Sequence, residues 1–419
     1  MRCLFVIRDL PRPVVSMAGV LHGSEALSGS HTVGLLVAEG LARRGHEVGL
    51  CVVNGQRIID SSFELVPTLD EGAKWIGTNQ VIWISYGDDA IYERLRSAGL
   101  RPTIWTHLPV NRSERAWLEN GTISGLITVS DTCRIPLLRC RRHALVGRIY
   151  NPLAPVFADS GSGASDRYSK RTVVYAGAAG PTKGLHRLLE MWKFVHTVTP
   201  AARLLLAGTG RLYGAERELG RFGLAGPEFE DHYVTPLIKE FGSLAGAGIE
   251  NLGLLSPIEL RDLYSRASLG VVNMNWSEYT ETFCCAATEM LSTSLPVFSV
   301  ARGALPETIG RTGGAVLVKQ KSLRTAATRI ASLLDDPKRL AMLGRMGKQH
   351  VQTEYQWEHI LDEWVRYLTA TSSLESLTGR WRAPMSPQYL IEFVVGRFGL
   401  PWLIDAPVAT LHGLRRRLS

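Results

Sequence analysis

The chain has 419 residues, 45% of them hydrophobic, with 47 basic against 39 acidic side chains and a formal net charge of +8. That is length enough for two ordinary domains with buried cores, and too apolar for a disordered chain. The body carries no zinc-finger spacing, no aromatic RNA-binding motif and no dense basic tract, so the positive balance points to anionic small molecules or an anionic membrane surface, with no nucleic-acid partner expected.

Six cysteines, Cys3, Cys51, Cys133, Cys140, Cys284 and Cys285, form no CxxC pair or regular spacing. The opening Met1-Arg-Cys-Leu-Phe-Val-Ile7 is shorter than a signal-peptide core and reads as a first strand, so reduced thiols in a cytoplasmic setting are expected. No apolar run approaches the roughly 18 to 20 residues that span a bilayer. Residues 8–28 read as a long loop and 31–43 as a helix closed by Gly45. Between them, Ser28-Gly29-Ser30 stands at a strand-to-helix entry, where glycine lets a ligand approach the backbone and the helix terminus favours an anion. Strands follow at 48–53, 81–85, 103–106 and 126–129, with helical segments between them. This alternation predicts a parallel doubly wound sheet, whose ligands lie beyond the carboxyl ends of its strands. His107 occupies one such end; position alone fits a histidine satisfied by a backbone carbonyl as readily as a functional one. Arg134, Arg139, Arg141 and Arg142 read first as a solvated face, with a patch for phosphate-bearing acceptors or a membrane surface as the alternative. Residues 158–167 have linker composition, dividing a first domain, 1–157, from a second, 168–368.

The second domain opens with a strand at 172–175, the loop Ala176-Gly-Ala-Ala-Gly-Pro-Thr-Lys-Gly184 and a helix at 185–196. A lysine held by glycines between strand and helix suits a phosphate clamp, although a surface lysine would look the same. After a strand at 203–207 comes Gly208-Thr-Gly-Arg-Leu-Tyr-Gly214, whose third glycine falls one place late for a dinucleotide fingerprint. Residues 211–248 form a long connection expected to hold its own helix. The run Asn251-Leu-Gly-Leu-Leu-Ser-Pro-Ile-Glu-Leu260 leads through a helix at 261–267 to a buried strand at 269–274, an exit loop at 277–280 and a helix at 283–293. Glu281 then sits in the loop and Glu289 about two turns into the helix, while the small residues from Cys284 to Thr288 open its first turn to a ligand. Two carboxylates beside an anion site would repel phosphate, so they are better used on sugar hydroxyls, one at each end of the ligand. On a solvated helix, two glutamates eight apart would mean nothing. Glu307, in Leu305-Pro-Glu-Thr308, reads as the cap of a neighbouring helix. Helices fill the remainder to 368. Residues 369–419 form a helical, amphipathic tail with Trp381, Tyr389, Phe393, Phe398, Trp402 and Arg415-Arg-Arg417, docking on the body or at a membrane surface.

Several of these stretches resemble the family 4 (group 1) retaining glycosyltransferases: Glu281-x7-Glu289, then Leu295-Pro-Val-Phe-Ser-Val300 and Gly303-Ala-Leu-Pro-Glu-Thr-Ile309, the first unit through Gly29 and Leu41 to Val48, and the loop ending Lys183-Gly184. The resemblance implies an α/β protein of the GT-B fold, two Rossmann-like doubly wound parallel-sheet domains facing a central cleft, with the acceptor on the first domain and a nucleotide sugar on the second. It implies that His107 faces the transferred sugar, that Leu255 lies in the loop packed on the donor's base, and that Glu307 borders the donor pocket. The implied donor contacts are Gly29, Lys183, Gly208, Leu255, Glu281, Thr282, Phe283, Cys284 and Glu289, with His107, Glu281 and Lys183 as the catalytic group. Two positions depart from the family pattern. Ser28 replaces the first glycine of a usual pair, and Ala178 stands where the arginine of Gly-Arg-x4-Lys-Gly is usual. Half of the diphosphate clamp is then missing, unless Arg211 or Arg302 replaces it or Lys183 and the helix dipole suffice.

No Asp-x-Asp pair and no metal-ligand spacing stand in the chain, so metal-independent transfer is expected, with a nucleoside-diphosphate sugar (UDP- or GDP-linked) as donor and no cofactor. The resemblance implies retention of configuration, with the acceptor attacking from the leaving-group face. The acceptor would be a carbohydrate, lipid-linked or small-molecule hydroxyl, in cell-surface polysaccharide, glycolipid or glycoconjugate assembly, with peripheral contact at the inner face of a membrane. A catalytically silent GT-B binding module and a nucleotide-sugar epimerase are the competing readings, since fold alone does not fix activity.

Overall fold

The computed structural model describes residues 1–158, 165–211, 218–276, 281–319 and 322–372. The expected linker lies largely outside these residues, and so do the exit loop at 277–280 and nearly all of the tail.

Short aliphatic runs become the strands of two parallel sheets. The first contains β1 (Arg2–Ile7), β3 (Glu47–Val52), β5 (Glu64–Leu65), β6 (Gln80–Ser85), β7 (Thr103–Thr106), β8 (Gly125–Thr128) and β9 (Val146–Arg148), in the spatial order β5-β3-β1-β6-β7-β8-β9. The second contains β10 (Thr172–Ala176), β11 (Arg203–Ala207), β12 (Ile249–Gly253), β13 (Leu269–Val271), β14 (Val297–Val300) and β15 (Ala315–Val318), in the order β12-β11-β10-β13-β14-β15. A separate parallel pair joins β2 (Val14–Ser16) to β4 (Arg57–Ile59). Central strands are apolar on both faces because helices cover both: Cys3 to Ile7 of β1 are fully buried, and Val173, Val174 and Tyr175 of β10 nearly so. In each sheet the order reverses beside the first strand, so a crevice opens at the carboxyl ends of β1 and β6, and another at those of β10 and β13.

Two details differ from expectation. The stretch at 8–28 is not a simple loop: it contains β2 and the helix Met17–His22, where Ser16 accepts a hydrogen bond from the Gly19 amide and Gly23 closes the end at φ 81°. Burial of Val15, Met17 and Val20 drives it, and Gly23 passes so close to Val156 and the Ile258 amide that any side chain there would collide. After β8 the first sheet also gains β9, a strand absent from the sequence reading. The connection after β11 does hold a helix, Thr235–Phe241, entered through the π-helical turn Glu230–Val234.

The last described helix, Trp357–Ser372, packs back onto the first domain. Trp364 lies edge-on to Phe5 and Trp105, Trp357 Nε1 donates to the Leu36 carbonyl at 3.0 Å, and Arg44 pairs with Asp362 at 2.7 Å and with Glu358. Among the described residues, no helix is long and apolar enough to cross a membrane.

Candidate functional site

The loop after β10 closes in a single turn, Pro181–Lys183, ended by Gly184 in the left-handed conformation at φ 72°. A Cβ on Gly184 would stand 2.3 Å from the Asn275 amide nitrogen, so only glycine lets this loop press against the exit of β13. The Met274 amide donates to the Lys183 carbonyl at 3.2 Å across that contact. The consequence is a bidentate pair. Lys183 Nζ lies 3.0 and 2.9 Å from the two carboxylate oxygens of Glu281, whose side chain is only 6% exposed against 18% for the lysine. Asn273 Nδ2 donates to Glu281 Oε2 at 2.8 Å, and the Ala304 amide donates to the Glu281 carbonyl at 2.7 Å. The two residues read separately from sequence, a phosphate clamp and a sugar acceptor, are therefore partners. A diphosphate entering here would compete for the ammonium and sugar hydroxyls for the carboxylate.

The helix after Glu281 begins at Cys285 and runs to Ser292, so Glu289 stands about one turn inside it rather than two. Its carboxyl has no hydrogen-bond partner among the described residues, and burial pushes it up to about 7. Such a group can accept from a ligand hydroxyl when charged or donate to one when neutral. The first turn is lined by sulfur: burial holds the Cys285 thiol up near 12 and the Cys284 thiol well above its ordinary value, so neither is a thiolate nucleophile. Gly29 faces this turn across the cleft, since a Cβ on it would lie 3.4 Å from Cys285 Sγ.

Thr282 and Phe283 are occupied between the domains. The Thr282 hydroxyl donates to the His107 carbonyl at 2.7 Å, and the Phe283 ring packs against Tyr355 and Tyr150. What they can still offer a donor is backbone. His107 itself is buried against Trp105, its Nε2 without a hydrogen-bond partner among the described residues, and burial pushes its pKa down to about 3, helped by neighbouring His31. It is a neutral imidazole at any working pH. Gly208 follows β11 at φ 126°, where a Cβ would sit 2.0 Å from the Gly177 carbonyl oxygen; its amide donates to the Gly253 carbonyl at 2.7 Å. Leu255, half-buried, lies just past β12 beside that glycine contact. Ala178 is buried and its carbonyl accepts from the Tyr175 hydroxyl at 3.0 Å. Arg211 and Arg302 both have exposed side chains at the loops after β11 and β14.

Glu307 caps a helix, but one in the other domain. Its carboxylate accepts from the amides of Asp131 and Thr132 at 2.7 and 2.8 Å, at the start of the turn Asp131–Arg134, and from the hydroxyls of Thr132 and Tyr150 at 2.7 and 2.9 Å. Sequence reasoning missed three residues here. Asn273 was read only as part of a strand, although an amide side chain in an apolar run is the usual mark of a buried partner. Tyr150 and Asn151 were not singled out; Asn151 Nδ2 reaches Cys285 Sγ at 3.7 Å.

Residues 165–350 match the family described as glycosyl transferases group 1. Among curated proteins, the chain is 26% identical over 189 residues to a GDP-mannose-dependent monoacylated alpha-(1-6)-phosphatidylinositol monomannoside mannosyltransferase of Corynebacterium glutamicum, covering 42% of each chain. It is 29% identical over 203 residues to a D-inositol 3-phosphate glycosyltransferase of Segniliparus rotundus, covering 46% of this chain and 38% of that one. These matches span well under half the length of either relative. Among solved structures, sucrose-phosphate synthase of Thermosynechococcus elongatus superposes with a TM-score of 0.65 at 17% identity, over 89% of this chain and all of that one. HepE of Anabaena, crystallised with UDP and glucose, gives 0.61 at 14% identity, over 88% and 99%. The matched segment contains the Lys183–Glu281 pair and Glu289, and the solved structures share the chain's GT-B architecture of two parallel-sheet domains.

Proposed function

We propose that this protein is a retaining, metal-independent glycosyltransferase that moves a sugar from a nucleoside-diphosphate sugar to a hydroxyl acceptor. The observation that carries the reading is the Lys183–Glu281 pair at the crevice of the second sheet, one turn from Glu289. Lys183 supplies fixed positive charge to a departing diphosphate, and Glu281 and Glu289 accept hydrogen bonds from donor hydroxyls. Gly29, Gly208 and Leu255 line the donor's path, the amides of Thr282, Phe283 and Cys284 offer backbone donors, and neutral His107 orients the transferred sugar. The acceptor adds from the face that the diphosphate leaves, which retains configuration without a covalent intermediate. A glycolipid or polysaccharide acceptor is supported by the Corynebacterium relative, whose name describes transfer to an acylated phosphatidylinositol mannoside. With the net charge of +8, it also supports a cytoplasmic enzyme working at the inner face of a membrane.

The test is thermal stabilisation by UDP-, GDP- and ADP-sugars in the presence of chelator, on the wild type and on Lys183→Ala and Glu281→Ala. A donor at a hundred times its dissociation constant adds about 2.7 kcal/mol. One nucleotide sugar stabilising the wild type and neither variant is the expected result; stabilisation that requires a divalent ion removes metal independence, and no stabilisation by any donor removes the reading. A second reading, a silent binding module, is favoured by Ala178 in the place of a cation. Donor binding with neither transfer nor hydrolysis would select it. An epimerase would isomerise the sugar with no acceptor present.

A further inference from the structure

The connection after β11 is longer than a simple crossover, and its described part does not stand apart from the cleft. Glu230, only 1% exposed, opens the π-helical turn Glu230–Val234 and turns its carboxylate inward. Oε2 accepts from the Phe222 amide at 2.8 Å; Oε1 accepts from the Leu224 and Ala225 amides at 2.7 and 3.0 Å. Gly220 makes room for it, because a Cβ there would lie 2.2 Å from Glu230 Oε2. No cation is paired with this carboxylate among the described residues: three backbone amides hold it.

The segment that Glu230 gathers is the one that holds the loop after β11. The Leu224 carbonyl accepts from the Gly210 amide at 2.9 Å, and the Thr209 carbonyl accepts from the Ala179 amide at 3.3 Å, inside the loop that carries Lys183. From the other side, Asn251 Nδ2 donates to the Phe222 carbonyl at 3.2 Å, while its Oδ1 accepts from the amide of Gly253, the residue that receives the Gly208 amide. A continuous set of backbone hydrogen bonds therefore runs from Glu230 through 222–225 to Gly208–Gly210 and the Lys183 loop.

We infer that Glu230 is a positioning residue for donor binding, fixing the Gly208–Gly210 loop in its binding geometry through Leu224. The inference rests on the reading of that loop as part of the donor site. Glu230 touches no ligand; it acts by removing the freedom of a glycine-containing loop, a cost the donor would otherwise meet on binding. Glutamine has the same shape, but its amide group must turn N–H toward at least one of the three N–H groups that the carboxylate accepts, so Glu230→Gln loosens the segment without emptying its site.

The experiment measures the dissociation constants of UDP, GDP and ADP by calorimetry on the wild type and Glu230→Gln, well below both melting temperatures, together with the melt of each free protein. The expected result is a rise of about tenfold or more in the dissociation constant of whichever nucleotide binds the wild type. Where transfer can be followed, donor KM rises by a similar factor while kcat stays within about twofold. A Glu230→Gln protein that melts lower but binds with unchanged affinity overturns the inference and leaves the donor-site reading intact, since such a residue only supports the fold. A wild type that binds none of the three overturns both. Should Glu230→Gln fail to fold, Asn251→Ala, which releases Phe222 from the opposite side, carries the test: unchanged nucleotide affinity there overturns the inference.

Discussion

Glu289 offers the sharpest physical test, because its half-buried side chain carries a carboxyl with no hydrogen-bond partner among the described residues. It titrates near 7 in the fold against 4.5 for an ordinary glutamate, with burial as the cause. The folded protein thus holds this proton more tightly than the unfolded chain does, so stability is highest below about 4.5 and falls as pH rises through about 7. At about 1.4 kcal/mol for each tenfold change in proton affinity, charged Glu289 lowers stability by about 3 kcal/mol at pH 8.5, as an order of magnitude. Glu289→Gln replaces the carboxylate by a neutral group of the same shape. It should raise the melting temperature at about pH 8.5 by several degrees, at roughly 2 to 4 °C per kcal/mol for a domain of this size. At about pH 4, where this carboxyl is mostly protonated in the folded and the unfolded chain alike, the two proteins should melt together within a degree or so. The assay is intrinsic tryptophan fluorescence against temperature in matched buffers. An equal difference at both pH values, or a variant that melts lower at alkaline pH, would refute the claim that the fold desolvates this carboxyl. The same variant should bind a nucleotide donor more weakly, since an amide cannot supply the charged acceptor that a ribose or sugar hydroxyl would recruit.

Lys183→Met leaves the Glu281 carboxylate buried with Asn273 as its only close side-chain donor among the described residues and should cost about 3 kcal/mol in urea unfolding; a loss below about 1 kcal/mol would mean the pair is more solvated than its distances indicate. His107 should produce the opposite pH dependence from Glu289. Its pKa is near 3 in the fold and 6.5 in the unfolded chain, so protonation of the unfolded chain lowers stability as pH falls from about 6.5 toward 3. Relative to the wild type, His107→Gln should gain roughly 2 to 3 kcal/mol between about pH 7 and 4.5; a constant difference over that range refutes the assignment. Glu307→Ala strips two backbone amides and two hydroxyls of their acceptor and should cost about 3 kcal/mol. Because those donors lie in the first domain, proteolysis between the domains should also accelerate, and an unchanged cleavage rate would show that the Glu307 contacts do not hold the domains together.

What could be read from sequence is what is written locally. The strand at 103–106 is β7, the strand at 203–207 is β11, and the helix ending at 43 stops there because the hydrophobic period ends beside Gly45. The loop at 8–28 was misread because its helix is a single short stretch; yet Ser16 and Gly23, six residues of helix apart, are the start and stop signals of a helix and could have been used. Cys285, not Phe283, opens the helix before Glu289 because Phe283 is drawn into an aromatic cluster with Tyr150 and Tyr355, a tertiary demand that no local propensity encodes.

The candidate site divides along the same line. Lys183, Glu281 and Glu289 could be singled out as candidates because glycine spacing and small residues mark where a backbone must approach something. Their relation to one another was not, since Lys183 and Glu281 stand 98 positions apart and meet only because Gly184 permits contact with Asn275. Glu307 makes the point from the other direction. Reading it as a helix cap was right in chemistry, yet the helix it caps begins 176 positions away, in the other domain. A carboxylate suits any set of free amides, and only the folded arrangement of the two sheets chooses which. The same argument explains why Glu230 carried no signal at all: a glutamate in a polar helical stretch looks solvated, and its three amide partners are set by a turn whose shape depends on the glutamate itself. Where a side chain and the backbone that it holds define each other, neither can be read first.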